Sequence, residues 1–134
     1  MKTIAFFNNK GGVGKTTLVY HLAFMFASRG QNVLAVDLDP QANLTSMFLA
    51  EDLIEKLWPT GEHPKTIHGA ISPIIRGLGD VGTPHIEQIS PGLGLVVGDM
   101  RLSSFEDKLS DAWPRCHNGD ESAFRAMTAF HRAM

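Results

Sequence analysis

Apolar and polar positions along the chain divide it into two kinds of segment. The apolar runs at 4–7, 32–36 and 93–97 have the length expected of parallel strands covered on both faces. Elsewhere, apolar residues recur at helical spacing, which predicts amphipathic helices. The predicted helices occupy residues 16–29, 44–49, 51–58, 66–76, 103–112 and 121–134. Strands that alternate with helices in this way are typical of an α/β fold.

Glycine and proline residues set the expected ends of these elements. Gly30 fits the C-terminal cap of the first helix, and Pro59 ends the third. Pro73 interrupts the helix at 66–76, and Trp113-Pro114 is expected to end the helix that begins near 103. Residues 86–89 alternate apolar with polar, which predicts a short edge strand.

Residues 10–17 read Lys-Gly-Gly-Val-Gly-Lys-Thr-Thr and follow the first apolar run directly. Glycines let the backbone fold around an anion with its N–H groups pointing inward. Lys15 adds a mobile positive charge, and Thr16 places a hydroxyl where Mg²⁺ would sit. The helix that opens near Gly14 presents the positive end of its dipole to the same phosphates. Strand, glycine loop and helix together predict a phosphate-binding loop.

The loop departs from the usual Walker A spacing at one position. Asn9 stands where the first glycine is expected, and Lys10 adds a second lysine before the glycine pair. This variant resembles the deviant Walker A box of the ParA/MinD family of P-loop ATPases. That family includes partition and division-site positioning ATPases, the nitrogenase iron protein, and synthetases of the cobyrinic acid diamide type.

A second stretch, residues 37–45, follows the second apolar run and reads Asp-Leu-Asp-Pro-Gln-Ala-Asn-Leu-Thr. It is similar to the Asp-x-Asp-Pro-Gln-x-Asn stretch of ParA-type proteins. Carboxylates at the end of a parallel strand lie beside the crevice where such sheets bind ligands. One acid can hold the water shell of Mg²⁺ and the other can orient the attacking water. The resemblance implies Asp37 for the metal and Asp39 for the water, although Asp39-Pro40 alone favours a simple turn.

The family resemblance implies a P-loop NTPase fold, a doubly wound and mainly parallel sheet with helices on both faces. It implies ATP or ADP with Mg²⁺ as cofactors, with Lys15 on the terminal phosphates, Thr16 on the metal and Thr17 on a phosphate nearer the ribose. It also implies that Lys10 reaches the partner's nucleotide across a dimer formed by two copies of the chain. Lys10, Lys15 and Asp39 are then the catalytic candidates. The implied nucleotide-binding set is Lys10, Gly11, Gly12, Val13, Gly14, Lys15, Thr16 and Thr17.

Composition narrows the class of protein. The chain has 134 residues, 43% hydrophobic and 19% charged, with a net charge of −2, which predicts one soluble globular domain. A single cysteine, Cys116, excludes a disulfide framework within the chain. The first apolar run begins too early to leave room for a signal peptide, and the stretch 18–27 is too short to span a bilayer. We therefore expect a cytoplasmic protein without a membrane segment.

One landmark of the family is not found. ParA-type proteins carry a Walker B strand, an apolar run that ends in Asp and is often followed by Pro-Pro or Gly-Pro. The nearest candidate, residues 93–100, better matches the strand before it. We therefore expect residues 1–134 to be the amino-terminal part of a single ATPase domain that ends before the Walker B strand, with an incomplete sheet.

Three functions stay open from the sequence. The first is a partition or positioning ATPase that is stimulated by a partner protein and binds DNA without sequence preference. The chain has 12 Lys and Arg against 14 Asp and Glu and shows no basic patch, so the DNA-binding surface would lie in the later half of such an ATPase. The second is an amidoligase of the cobyrinic acid a,c-diamide synthase type. The third is a non-catalytic fragment that only binds nucleotide or oligomerises.

Several residues have simpler interpretations than a second site. The six histidines show no metal-ligand spacing and are expected to be isolated surface or core residues. Cys116 lacks the partner cysteine of an iron–sulfur cluster. The stripe of Phe124, Met127, Phe130 and Met134 is most simply core, but is exposed if the sheet beneath it is incomplete.

Overall fold

The computed structural model describes residues 2–8 and 10–134 of the chain, so that Asn9, the residue in place of the Walker A glycine, lies outside the described part. Seven helices and three strands are assigned within those ranges. In chain order they are α1 (Lys15–Ser28), β1 (Val33–Val36), α2 (Asn43–Phe48), α3 (Glu51–Leu57), α4 (Ile67–Ile75), β2 (Glu87–Ser90), β3 (Leu93–Val96), α5 (Leu102–His117), α6 (Glu121–Met127) and α7 (Ala129–Ala133).

The three strands form one sheet in the order β1-β3-β2. β1 and β3 are parallel, with Val33 opposite Leu93 and Val36 opposite Val96. β2 runs antiparallel to β3 at the other edge, and its register shifts between Gln88 and Ser90. The edge strand predicted at 86–89 is therefore confirmed, within a residue at each end.

Side chains of the strands alternate between two apolar layers, as the pleat of a sheet requires. Val96 belongs to the core formed with α4 to α7, in which Ile67, Ile71 and Phe105 are fully buried. Leu95 points to the opposite layer, with α1, α2 and α3. Helices thus cover both faces of the sheet, and the predicted doubly wound α/β fold is confirmed in a small, mixed-sheet form.

The strand predicted at 4–7 is wrong. Residues 2–8 have no regular secondary structure, and the side chain of Phe7 is 92% exposed. A strand gains its stability from a hydrogen-bonded neighbour, and within the described ranges no strand pairs with the edge of β1 that faces away from β3. An apolar run alone is not enough to form a strand, and residues 4–7 have no hydrogen-bonded strand partner in the described part of the chain.

The break predicted at Trp113-Pro114 is also wrong, because α5 continues through Pro114 to His117. Proline removes one helical hydrogen bond, but Ala112 is buried and Cys116 packs on the same core, so the apolar face of the helix remains in contact across the proline. Trp113 lies on the exposed side.

The last predicted helix, 121–134, is two helices that meet at Thr128. Its apolar stripe divides between core and surface: Met127 and Phe130 pack against the core, whereas Phe124 and Met134 are exposed. No helix in the described part of the chain is long and apolar enough to cross a membrane. The cytoplasmic location stays a prediction.

Candidate nucleotide-binding site

The glycine loop enters α1 through two residues in the left-handed region of backbone space. Gly12 has φ 71° and Gly14, the N-cap of α1, has φ 82°. A Cβ at either position would meet no atom within 4 Å, so glycine is required by the backbone conformation and not by lack of space. No side chain caps α1. The amide groups of its first turn are therefore available to an anion.

The two lysines of the loop have different surroundings. The Nζ of Lys15 donates to the backbone oxygen of Asn8 at 3.2 Å and lies 4.0 Å from Oδ2 of Asp39. Lys10 is exposed, and its backbone N–H donates to Oδ1 of Asn8 at 2.8 Å. Lys15 is thus directed into the loop while the side chain of Lys10 faces solvent.

Thr16 and Thr17 lie in the first turn of α1, where Thr16 is half-buried and Thr17 is exposed. Beside them, Gly14, Lys15 and Leu18 line a cavity of about 340 Å³ whose other wall is residues 5–8. The segment that was expected to be the first strand therefore forms one side of the candidate site.

Asp37 is buried at the end of β1, and its carboxylate is held by hydrogen bonds. Oδ2 accepts from the backbone N–H and the hydroxyl of Thr45, both at 2.8 Å, and Oδ1 accepts from the N–H of Asp39 at 3.3 Å. Burial raises the pKa of Asp37, while the hydrogen bonds from Thr45 and Asp39 act in the opposite direction.

The same network reaches β3, because the hydroxyl of Thr45 accepts from the N–H of Gly98 at 2.8 Å. A Cβ on Gly98 would lie 2.8 Å from Cγ of Asp37, so only glycine fits there. The ends of β1 and β3 are therefore joined through Asp37 and Thr45.

Asp39 has a different environment from Asp37. Its Oδ1 accepts from the N–H of Gln41 at 2.9 Å, which forms a turn, and its Oδ2 faces Lys15. About a third of its side chain is exposed (33%). The structure thus brings Asp39 to the loop and leaves it accessible, while Asp37 lies behind it in the sheet.

A third group of polar residues matches no motif in the sequence. Nδ1 of His63 lies 2.7 Å from Oδ2 of Asp99, which is fully buried just beyond β3, and Thr66 donates to the same oxygen at 2.7 Å. Asp99 is 36 positions from His63 and 33 from Thr66 in the chain, so no local pattern predicts these contacts. Among the described residues, no group of three or more His, Cys, Asp or Glu side chains is arranged to hold a metal ion.

A doubly wound sheet with a glycine loop that opens an uncapped helix defines the class of P-loop nucleotide-binding proteins. A family model described as an AAA domain matches residues 1–124. The chain therefore belongs to this family, and its relatives place it in the ParA/MinD type.

One curated relative is the chromosome-partitioning ATPase Soj of Thermus thermophilus, 56% identical over 46 residues, which are 34% of this chain and 18% of Soj. A solved structure of a protein from Corynebacterium diphtheriae has 34% identity and a TM-score of 0.87, covering 99% of this chain and 47% of that one. Cobyrinic acid a,c-diamide synthase from Mycobacterium smegmatis, solved with bound ADP and magnesium, has 27% identity and a TM-score of 0.52, covering 78% and 37%.

The chain spans 18% to 42% of the length of the curated relatives that it matches. The prediction that residues 1–134 are the amino-terminal part of a longer ATPase domain stays a prediction.

Proposed function

We propose that the chain binds ATP with Mg²⁺ in the loop at 10–17 and takes part in a ParA-type ATPase cycle. The observation that carries this proposal is the path of the loop: two left-handed glycines lead into a helix that no side chain caps. Such a helix start exposes backbone donors and the positive end of a dipole, which suits a phosphate chain. The bound ADP and magnesium of the Mycobacterium smegmatis structure support the same cofactors.

Each residue of the site has a role in this proposal. The N–H groups of residues 11–15 surround the phosphates and Lys15, which now bonds the Asn8 carbonyl, moves to the terminal ones. Thr16 ligates Mg²⁺, and Thr17 binds a phosphate nearer the ribose. Asp37 lies too deep for a direct ligand of a solvent-facing metal and would act on its water shell. Asp39, the accessible acid, would orient the attacking water.

Lys10 has a different role, because it is exposed and its side chain is free to reach another molecule. We propose that it contacts the nucleotide of a second copy in an ATP-dependent dimer. A cation supplied in this way stabilises the charge of the transition state, as an arginine finger does, and such fingers contribute roughly 10³–10⁵ in rate. ATP binding would then favour the dimer, and hydrolysis would release it.

The biological process proposed for this cycle is partition or positioning of a cargo, and its support is the similarity to the partition ATPase Soj. A stimulating partner protein and non-specific DNA are the expected partners. The net charge of −2 gives residues 1–134 little attraction to DNA, so we expect another part of a ParA-type ATPase to supply that surface.

A second candidate is an ATP-dependent amidoligase, favoured by the structural likeness to cobyrinic acid a,c-diamide synthase. It would use ATP to activate a substrate carboxylate. DNA-stimulated release of phosphate would support the partition ATPase, whereas glutamine-dependent amidation would support the ligase. The third possibility, a non-catalytic fragment, predicts no turnover together with an oligomer whose size depends on concentration.

Calorimetry with Mg-ATP and Mg-ADP tests the nucleotide site. We expect saturable binding by the wild type, a loss of affinity of at least about tenfold in Lys15→Ala, and unchanged binding in Lys10→Ala. Lys56→Ala is the matched control, because Lys56 is an exposed lysine on α3, away from the loop. Equal affinity of the wild type and Lys15→Ala, or no binding by folded wild-type protein, would refute the assignment. Light scattering with ATP tests for the dimer in the wild type, and phosphate release tests hydrolysis, which Lys10→Ala is expected to lose while it still binds ATP.

A further inference from the structure

A second cavity, of about 390 Å³, lies beside α4 and shares no lining residue with the cavity at the glycine loop. Half of its ten lining residues have charged or titratable side chains, although the net charge of the chain is only −2. They are Glu62, His63, His68, Arg76 and Arg101. None of these residues has a part in the nucleotide site.

His63 is oriented toward this cavity by a buried carboxylate. Asp99, fully buried, accepts from Nδ1 of His63 and from the hydroxyl of Thr66 through Oδ2, and from the N–H of Arg101 through Oδ1 at 2.9 Å. Because Nδ1 is occupied, the opposite ring nitrogen, Nε2, is the one left for a ligand. It makes no hydrogen bond to any part of the chain that the structure describes.

The turn that carries His63 is fixed against α4. A Cβ on Gly69 would lie 2.6 Å from the backbone oxygen of His63 and 2.7 Å from that of Pro64, so the turn and the first turn of α4 are in close contact. His63 is therefore held at two points, its ring by Asp99 and its backbone by the contact with Gly69. A polar group with a fixed position in a cavity is a typical feature of a ligand site.

The remaining charges favour an anion over a cation. The guanidinium of Arg101 forms no ion pair or side-chain hydrogen bond within residues 2–8 and 10–134, whereas Arg76 is paired with Glu62 at 3.1 Å at the rim. Burial lowers the pKa of His68, while Asp99 raises it and Arg101 and His63 lower it further, so His68 offers one neutral N–H at pH 7. A free guanidinium and the N–H of His68 match the oxygens of a phosphate group, while Nε2 of His63, whose Nδ1–H donates to Asp99, accepts from the hydroxyl of a protonated phosphate.

We propose that this cavity is a phosphate-binding site separate from the glycine loop, in which Arg101, His63 and His68 contact the phosphate oxygens. Its ligand is either inorganic phosphate or the phosphate of a small organic monoester. The apolar parts of the wall, Pro64, Pro73 and Leu78, offer a surface for the organic part of such a monoester.

Imidazole ¹H–¹⁵N spectra test the site in Lys15→Ala protein, where the loop no longer competes for phosphate. Titration with inorganic phosphate, at constant ionic strength set with sodium chloride, is expected to shift the signals of His63 and His68 saturably. The signals of His21 and His131, on α1 and α7, serve as internal controls. Glycerol 3-phosphate forms the second arm, and tighter binding of one probe than of the other identifies the source of the phosphate.

Arg101→Gln is expected to weaken binding at least about tenfold, which is the scale of one lost charge-assisted contact. Arg29→Gln, at an exposed arginine that follows α1, should bind as the parent does. Circular dichroism establishes that both variants are folded. Absence of saturable shifts at His63 and His68, or equal affinity in Arg101→Gln and the parent, would overturn the proposal. The shifts of His63 and His68 and the effect of Arg101→Gln do not depend on ATP binding at the glycine loop, so the two sites are tested separately.

Discussion

Thr45 joins the ends of two strands by donating its hydroxyl hydrogen to Asp37 and accepting the N–H of Gly98, each at 2.8 Å. Its own N–H also donates to Asp37 at 2.8 Å. Asp37 ends β1 and Gly98 follows β3, so one fully buried side chain fixes the carboxyl edge of the sheet where Asp39 meets the glycine loop.

Replacing Thr45 by valine is therefore expected to destabilise the fold by about 1–3 kcal/mol, because the buried carboxylate and the Gly98 N–H each lose a partner at nearly constant volume. Urea denaturation measures the change in the free energy of unfolding. Thr45→Ser, which keeps the hydroxyl, should lose less. A stability of Thr45→Val equal to that of the wild type would show that the network contributes little.

Asp39→Asn is expected to lower the rate of ATP hydrolysis about 10²-fold or more with ATP affinity retained, because an amide is a poor base for orienting water. Asp39 already faces Lys15 and is accessible, which suits that role. Phosphate release and calorimetry on the same preparation separate the two effects. Asp52→Asn, at an exposed acid on α3, is the control. If Asp39→Asn hydrolyses ATP at the wild-type rate, a group other than Asp39 orients the attacking water.

The sequence predicted most of the fold because its signals are local. The glycines of the loop, Gly30 and the apolar run at 32–36 each reflect the conformation of a few neighbouring residues. The strand at 4–7 failed because a strand depends on a partner elsewhere in the sheet, which no local pattern contains.

The same reason explains the other differences. α5 passes Pro114 because its apolar face packs on a distant core, and tertiary packing here outweighs a local helix breaker. His63 and His68 appeared isolated in the sequence. They share a cavity with Arg101, and His63 contacts Asp99, because the fold brings residues 99–101 next to residues 63–68. A motif was thus enough to predict a candidate nucleotide site, whereas no motif pointed to the second cavity.

Asp120 connects α5 to α6, and its ionisation is expected to make stability depend on pH. It caps α6 through the N–H groups of Ser122 and Ala123 and accepts from Nε of Arg115 at 2.9 Å. The hydrogen bond from Arg115, followed by those at the cap, lowers the pKa of Asp120 from 3.8 to about 2. Because the folded pKa lies below the unfolded one, the stabilisation is present above pH 3.8 and is lost as pH falls toward 2.

Asp120→Asn removes this dependence while asparagine retains much of the capping. We expect its Tm to lie below that of the wild type at pH 7 and to approach it as the pH is lowered through the window from 3.8 to 2. Asp111→Asn, at an exposed acid on α5, controls for the loss of a negative charge. A difference between wild type and Asp120→Asn that does not change with pH would contradict the assignment.

Gly69→Ala tests the contact that fixes the His63 turn. In most helices alanine is more stable than glycine by roughly 0.5–1 kcal/mol. Here the new Cβ would lie 2.6 Å and 2.7 Å from the backbone oxygens of His63 and Pro64, which cannot move as a flexible side chain does. We therefore expect a net loss of about 1–3 kcal/mol in the free energy of unfolding, measured by urea denaturation.

Gly79→Ala is the matched control, because the nearest atom to its Cβ is Cβ of Pro73 at 3.9 Å, and it should be nearly neutral. A more stable Gly69→Ala would mean that the turn at His63 and Pro64 yields easily, and Asp99 would then be the remaining support for the orientation of His63 toward its cavity.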